Sequence, residues 1–381
     1  MTDDVQRFRA AHVVTPGGVL DDAVVEVRGD RVAAVYPNNG DERAERLGGW
    51  VVPGFVDPHV HGGGGHDYAS GDAEEILVAR DFHAAHGTTT TFASLVAAPL
   101  EDLEAQLGVL ADLVEDGQLA GIHLEGPFLS PDQAGAHEPA FLRPPHPAAV
   151  ERLLDAGRGH LRMVTLAPEL DGGIDAVRRL VAAGVHVAVG HTTADDDLVA
   201  RALDAGADVG THVFNAMRPV HHRRPGPVPR LLTDPRVAAE LIADGFHVVE
   251  EVLRMALAAA GPDGVVLVTD AMVAAGMPDG PYRLGSLDVR VVDGQARLVT
   301  EDGTPGSIAG STLTTAQAFA RVVAITGDLA AAARAASTNA ARHFGLDAGT
   351  VEAGGPADLC LVDDDGGLQR VMRRGRWLET A

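Results

Sequence analysis

An alternation repeated through the middle of the chain limits what it can fold into. Eight short β-branched or apolar runs fall at residues 54–61, 88–93, 121–125, 163–167, 185–191, 209–214, 239–243 and 265–269. Between most of them lie Ala- and Leu-rich stretches with helical spacing, as at 72–86, 100–115, 174–183 and 195–205. Parallel strands need helical crossovers, and eight strand–helix units are what a (β/α)8 TIM-type barrel requires. The flanks read differently. Residues 12–15, 23–27 and 31–36 are strand-like runs split by Gly and Asp turn signals, and residues 359–362 and 374–377 resemble them. Neither end is long enough to bury a core alone. The expected organisation is a barrel over 54–345 and a small β-sandwich domain built from both ends, 1–53 and 346–381.

Composition narrows the chemistry. The formal charge is −24, from 30 basic and 54 acidic residues. Such a field repels nucleic acid and anionic membranes, so neither is an expected partner. Every basic residue is Arg, and the chain has no Lys. That excludes a Walker-type phosphate loop, Schiff-base chemistry and a carboxylated Lys as a metal bridge. Cys360 is the only cysteine, so an intrachain disulfide and a thiolate metal cluster are also excluded. The acidic start lacks the apolar segment of a signal peptide, and no apolar run reaches the roughly 18 residues of a membrane span. The expected location is the cytoplasm.

The 17 His residues are a high count, and a lone His is more often a hydrogen-bonded structural group than a ligand. His12, His83, His86, His146, His160, His186 and His343 take that reading, and His221 and His222 are ambiguous. Strand ends are different, because that side of a barrel carries the active site. His59 and His61 end the first run two residues apart, a spacing that turns both rings to one side of a strand. Glu125 ends the third run, where a buried and unpaired carboxylate would be costly; His123 shares its face. His191 and His212 end the fifth and sixth runs. Glu125, His191 and His212 thus supply three N/O ligands from separate strands, the pattern of a catalytic zinc site with one position open. Asp270 follows the eighth run, where it can either cap the next helix or shuttle a proton; the metal set beside it favours the proton role.

Several motifs together resemble the N-acetylglucosamine-6-phosphate deacetylases of the amidohydrolase superfamily. They are His59-Val60-His61, His123-Leu124-Glu125-Gly126-Pro127, Gly190-His191, Thr211-His212-Val213-Phe214-Asn215-Ala216-Met217 and Val268-Thr269-Asp270-Ala271. Gly135-Ala136-His137, Arg223-Arg224-Pro225-Gly226, Ala243-Asp244-Gly245-Phe246-His247 and Ile308-Ala309-Gly310-Ser311 follow the family's order as well. The resemblance implies a divalent metal, zinc or iron, held by Glu125, His191 and His212. It implies a second site completed by His59 and His61, giving one or two ions per subunit. Asp270 would be the general base and acid, and His137 would polarise the acetyl carbonyl. Ala136, His137, Asn215, Ala216 and His247 would contact the amino-sugar phosphate, with Arg223 on the phosphate. Ile308, Ala309 and Gly310 would close over the sugar. In relatives such an Arg comes from the partner subunit, which implies a homodimer. Two departures stand out: Arg224 replaces a commonly acidic residue, and residues 129–135 lack a Cys or Lys that relatives carry. With no Lys available, Glu125 is the expected bridge between two ions.

Three other readings compete. One is deacetylation of a related sugar such as N-acetylgalactosamine 6-phosphate, which differs at one epimeric hydroxyl. The others are a metal-dependent deaminase, against which Arg223 and His247 argue, and a non-catalytic sugar-phosphate-binding barrel, against which the intact ligands and Asp270 argue.

Overall fold

The computed structural model describes residues 5–40, 42–300 and 302–379. In chain order, β1 (Val5–Thr15), β2 (Gly18–Arg28), β3 (Arg31–Pro37) and β4 (Trp50–Pro53) precede the barrel. The barrel strands are β5 (Phe55–Asp57), β6 (Thr88–Leu95), β7 (Gly121–Glu125), β8 (Leu161–Leu166), β9 (His186–Val189), β10 (Val209–Gly210), β11 (Ala238–Leu241) and β12 (Val265–Leu267). Four antiparallel strands follow: β13 (Gly280–Leu284), β14 (Leu287–Val292), β15 (Gln295–Val299) and β16 (Pro305–Ile308). β17 (Leu359–Val362), β18 (Leu368–Arg373) and β19 (Arg376–Trp377) complete the chain.

The eight runs expected of a barrel form one eight-stranded sheet with neighbours in sequence order, from β5 to β12. The paired strands from β6 onward run parallel. Helices supply the crossovers. Leu100–Glu115 buries Leu100, Leu103, Leu107, Leu110 and Ala111 on one stripe, the spacing that places an apolar face against a sheet. Asp196–Asp204 starts at Asp195, whose side chain accepts from Leu198 N, a standard satisfaction of an orphan N–H. The strands are near-continuous apolar runs, as sheets covered on both faces demand.

Several strands are shorter than their apolar runs, and the cause lies at their C-terminal ends. β5 stops at Asp57 because Pro58 has no N–H for a ladder. Beyond it, Asp270 N donates to His59 O and His61 N donates to Ala271 O. These bonds bring the two ends of the sheet together across the barrel mouth. β9, β10 and β12 likewise stop before His191, His212 and Asp270, which have φ of +45°, +23° and +48°.

The chain divides into two compact units, residues 1–57, 81–90 and 314–381 in one, 58–80 and 91–313 in the other. In the first, strands from both chain ends join one mixed sheet in the order β19-β18-β17-β4-β1-β2-β3. The sheet curls until Val32 N donates to Gly355 O, just before β17. Its core holds Phe8, Val13, Val25, Val51, Leu359, Leu361 and Met372. In the second unit, the antiparallel sheet of β13–β16 packs Leu284, Val289, Val291 and Ala296 on Met272 and Ala274. Among the described residues, no helix is long and apolar enough to cross a membrane.

Candidate active site and metal centre

Every strand-end residue singled out by the sequence converges at the barrel mouth. Glu125 is the hub. Its Oε1 lies 3.0 Å from His191 Nε2 and 2.9 Å from His212 Nε2, and those two ring nitrogens are 3.2 Å apart. Its Oε2 lies 3.3 Å from His61 Nε2 and 3.6 Å from His59 Nε2. Asp270 Oδ1 is 3.1 Å from His61 Nε2 and 3.6 Å from His59 Nε2. Two ligand groups result, Glu125–His191–His212 and His59–His61–Glu125–Asp270, and Glu125 belongs to both.

These donors fit divalent cations. Ligands about 2.1 Å from one tetrahedral ion stand roughly 3.4 Å apart, close to the spacing of both groups. All six side chains are buried, and a buried set of imidazoles and carboxylates with no Cys suits zinc or iron chemistry. The glycines allow this crowding. A Cβ at Gly135 would lie 2.9 Å from His191 Cε1.

The charges answer one another. Burial alone would raise the Glu125 carboxyl, yet the His137, His59 and His191 rings around it hold it well below its usual range. Burial would raise Asp270 too, and the His61 hydrogen bond and His59 charge lower it. Burial disfavours charge on His61, but hydrogen bonds to Asp270 and Glu125 lift it to about 9. Burial also opposes charge on His59, and Glu240 and Glu125 raise it well above normal.

A cavity of about 410 Å³ opens above this floor, lined by His61, Glu125, Ala136, His137, His191, His212, Asn215, Ala216, His247, Asp270, Ile308 and Gly310. His137 has a defined tautomer. Ala97 N donates to its Nδ1, so a neutral ring carries its proton on Nε2, 3.3 Å from Glu125 Oε2. Burial is the main cause lowering this ring's pKa, against the Glu125 charge. His247 is held by Asp244, whose Oδ2 lies 2.7 Å from its Nδ1, leaving Nε2 for the cavity.

Two expected contact residues lie elsewhere. Ala309 is fully buried in the cluster beneath β13–β16. Arg223 and Arg224 are exposed and line a separate cavity with Asp195, Asp196, Asp197 and His221. Among the described residues no Arg lines the site cavity. His123 is satisfied on both nitrogens by Ser94 Oγ and Thr165 Oγ1, a structural role. His12, His160 and His186 pair with Asp21, Glu115 and Asp208.

Sequence reasoning passed over Glu240. It is fully buried in β11, and its Oε2 contacts His59 Nδ1 at 3.0 Å and accepts from His212 N at 3.2 Å. The cost of an unpaired carboxylate inside an apolar strand, the argument that singles out Glu125, applies to it equally. Asp132 and Gln133, which also line the cavity, belong to a loop with no distinguishing pattern.

Residues 50–378 match the model of the Amidohydrolase family. The chain belongs to that family. It is 36% identical to an N-acetylgalactosamine-6-phosphate deacetylase of Escherichia coli O157:H7, covering 97% of this chain and 98% of that one. It is 32% identical to the N-acetylglucosamine-6-phosphate deacetylase of Lysinibacillus sphaericus, covering 97% and 96%. Among solved structures, one of N-acetyl-D-glucosamine-6-phosphate deacetylase from Mycobacterium smegmatis superposes with a TM-score of 0.94 at 47% identity. That match covers 98% of this chain and 99% of the other, a mutant in complex with N-acetyl-D-glucosamine 6-phosphate. As in other amidohydrolases, a divalent metal belongs to the site, and the buried His, Glu and Asp cluster is able to bind it.

Proposed function

We propose that this chain hydrolyses the acetamide of N-acetyl-D-glucosamine 6-phosphate, releasing acetate and glucosamine 6-phosphate in amino-sugar catabolism. The observation that carries the reading is the intact cluster around Glu125 on the floor of the cavity, in a chain similar over its whole length to deacetylases of this substrate. Glu125, His191 and His212 would hold one divalent ion, zinc or iron, and His59 and His61 would complete a second site that shares Glu125. When bound, the metal acidifies water and polarises a carbonyl.

The residues of the chain do the rest. Asp270, beside His61, takes the proton of the attacking water and passes it to the leaving amine. His137 donates from Nε2 to the acetyl oxygen as negative charge builds there. A neutral donor suits this role, and the bond from Ala97 N together with burial maintains it. Ala136, Asn215, Ala216, His247, Ile308 and Gly310 orient the sugar, Ala309 supporting the last two from below.

The phosphate needs more cationic charge than a cavity with no Arg among its described lining residues provides. Arg223, exposed on its loop, completes the site of a second copy, so the working unit is a homodimer. A second reading, deacetylation of N-acetylgalactosamine 6-phosphate, is favoured by the name of the E. coli relative. Acetate release from a panel of N-acetyl sugars and their 6-phosphates, with metal content measured on the same sample, separates the two. Fastest release from N-acetylglucosamine 6-phosphate is expected. A preference for the galactose epimer replaces it with the second reading, and no release from a metal-loaded sample overturns both.

A further inference from the structure

The four candidate histidine ligands are backed unequally from behind. His61 Nδ1 contacts the Ser94 carbonyl oxygen at 3.2 Å, and His191 Nδ1 contacts the Gln133 carbonyl oxygen at 2.8 Å. Both backing groups are neutral. His212 Nδ1 is buried and has no hydrogen-bond partner among the described residues. Among the described residues, His59 alone of the four has a carboxylate behind it, Glu240, at 3.0 Å.

The same Glu240 oxygen accepts the His212 backbone N–H. It is therefore an acceptor, and the proton shared with His59 belongs to Nδ1. In the neutral ring that would bind a metal, the Nε2 lone pair then faces Glu125 and Asp270. A carboxylate behind a ligand imidazole fixes its tautomer and raises its basicity. In this chain the effect reaches one ligand group, His59–His61–Glu125–Asp270, and not the rings of Glu125–His191–His212.

We infer that Glu240 is the positioning residue of the second metal site: through His59 it determines whether the chain holds one divalent cation or two. The inference rests on the metal-dependent reading of the site above. Glu240 touches neither substrate nor reacting atoms; it acts through the His59 ring. Its placement on β11, with both neighbouring strands paired to it, fixes the carboxylate more firmly than a loop would.

The test is competitive zinc release from the purified full chain by a chromophoric chelator, comparing wild type with Glu240→Gln. The amide keeps size and an acceptor oxygen but loses the charge. Wild type is expected to release two zinc ions in two steps. Glu240→Gln is expected to weaken one step by about 10–100-fold and leave the other unchanged. A wild type with a single zinc, or a variant in which both steps weaken alike or neither moves, overturns the inference. Nitrogen NMR of the zinc-loaded, 15N-histidine-labelled wild type gives a reading that needs no Glu240 variant. The His59 signal, identified by its loss in His59→Gln, should show a proton on Nδ1; an unprotonated Nδ1 overturns the inference even if Glu240→Gln does not fold. Zinc alone is read, so two bound ions without acetate release would sink the deacetylase reading and spare this one.

Discussion

His191, His212 and Asp270 leave their strands through the left-handed backbone region, where a non-glycine residue costs about 1–3 kcal/mol. The barrel carries that cost because the same turn aims each side chain into the mouth rather than along the sheet. Asp and Asn tolerate this region better than most residues. Asp270→Asn therefore keeps backbone, volume and one oxygen facing His61, and removes the negative charge and with it the ability to take a proton. The Glu125–His191–His212 group is untouched, so at least one ion per chain should remain bound while turnover falls by roughly 10²–10⁴-fold. Near-normal acetate release from a metal-loaded Asp270→Asn would remove Asp270 from proton transfer. At this scale much of the site was legible: His59, His61, Glu125, His191, His212 and Asp270 all stand at the ends of apolar runs, and all meet at one point. Glu240 was not, because it lies inside its run and nothing in the sequence says which way a buried strand carboxylate faces. The tautomer of His137 was not legible either, since it depends on Ala97 N, forty residues away.

Elements carry a different division of labour. The eight barrel strands appear in the sequence as apolar runs because both faces of a parallel sheet are covered. Their true ends do not appear, because hydrogen bonds across the mouth and positive φ angles truncate them. The β13–β16 sheet alternates buried and exposed positions and turns at Asp293-Gly294, a hairpin signal that strand counting toward a barrel passes over. Its place is tied to the chemistry. Ser311, just past β16, donates from N to Asp270 O and from Oγ to Thr269 O, so the wall over the cavity is anchored to the segment bearing the base. Among the described residues, Arg223 and Arg224 line a cavity other than that of the site. If Arg223 serves the neighbouring copy's phosphate, Arg223→Ala should raise KM for the 6-phosphate by about 10–100-fold, the worth of a hydrogen bond to a charged group. KM for free N-acetylglucosamine should not move. Equal losses on both substrates would make Arg223 structural.

At the scale of the whole molecule, a net charge of −24 confronts an anionic substrate. The general field opposes approach, while His247 and the proposed Arg223 of a second copy attract at close range. Salt separates the two effects by distance. The screening length shrinks from about 30 Å at 0.01 M to about 8 Å at 0.15 M, so remote acidic residues are silenced while contacts of a few ångströms persist. The ion pairs on the surface, such as Arg152 with Glu101 and Glu104 or Arg236 with Asp204 and Asp234, are already counted in that net charge and leave the acidic excess unchanged. Repulsion should therefore dominate the long-range term, and kcat/KM for the 6-phosphate should rise between those two ionic strengths. For the uncharged N-acetyl sugar it should stay flat, which controls for effects of salt on the fold or metal. A fall in kcat/KM for the 6-phosphate over the same range would mean that local cations, not the acidic surface, govern how the substrate arrives.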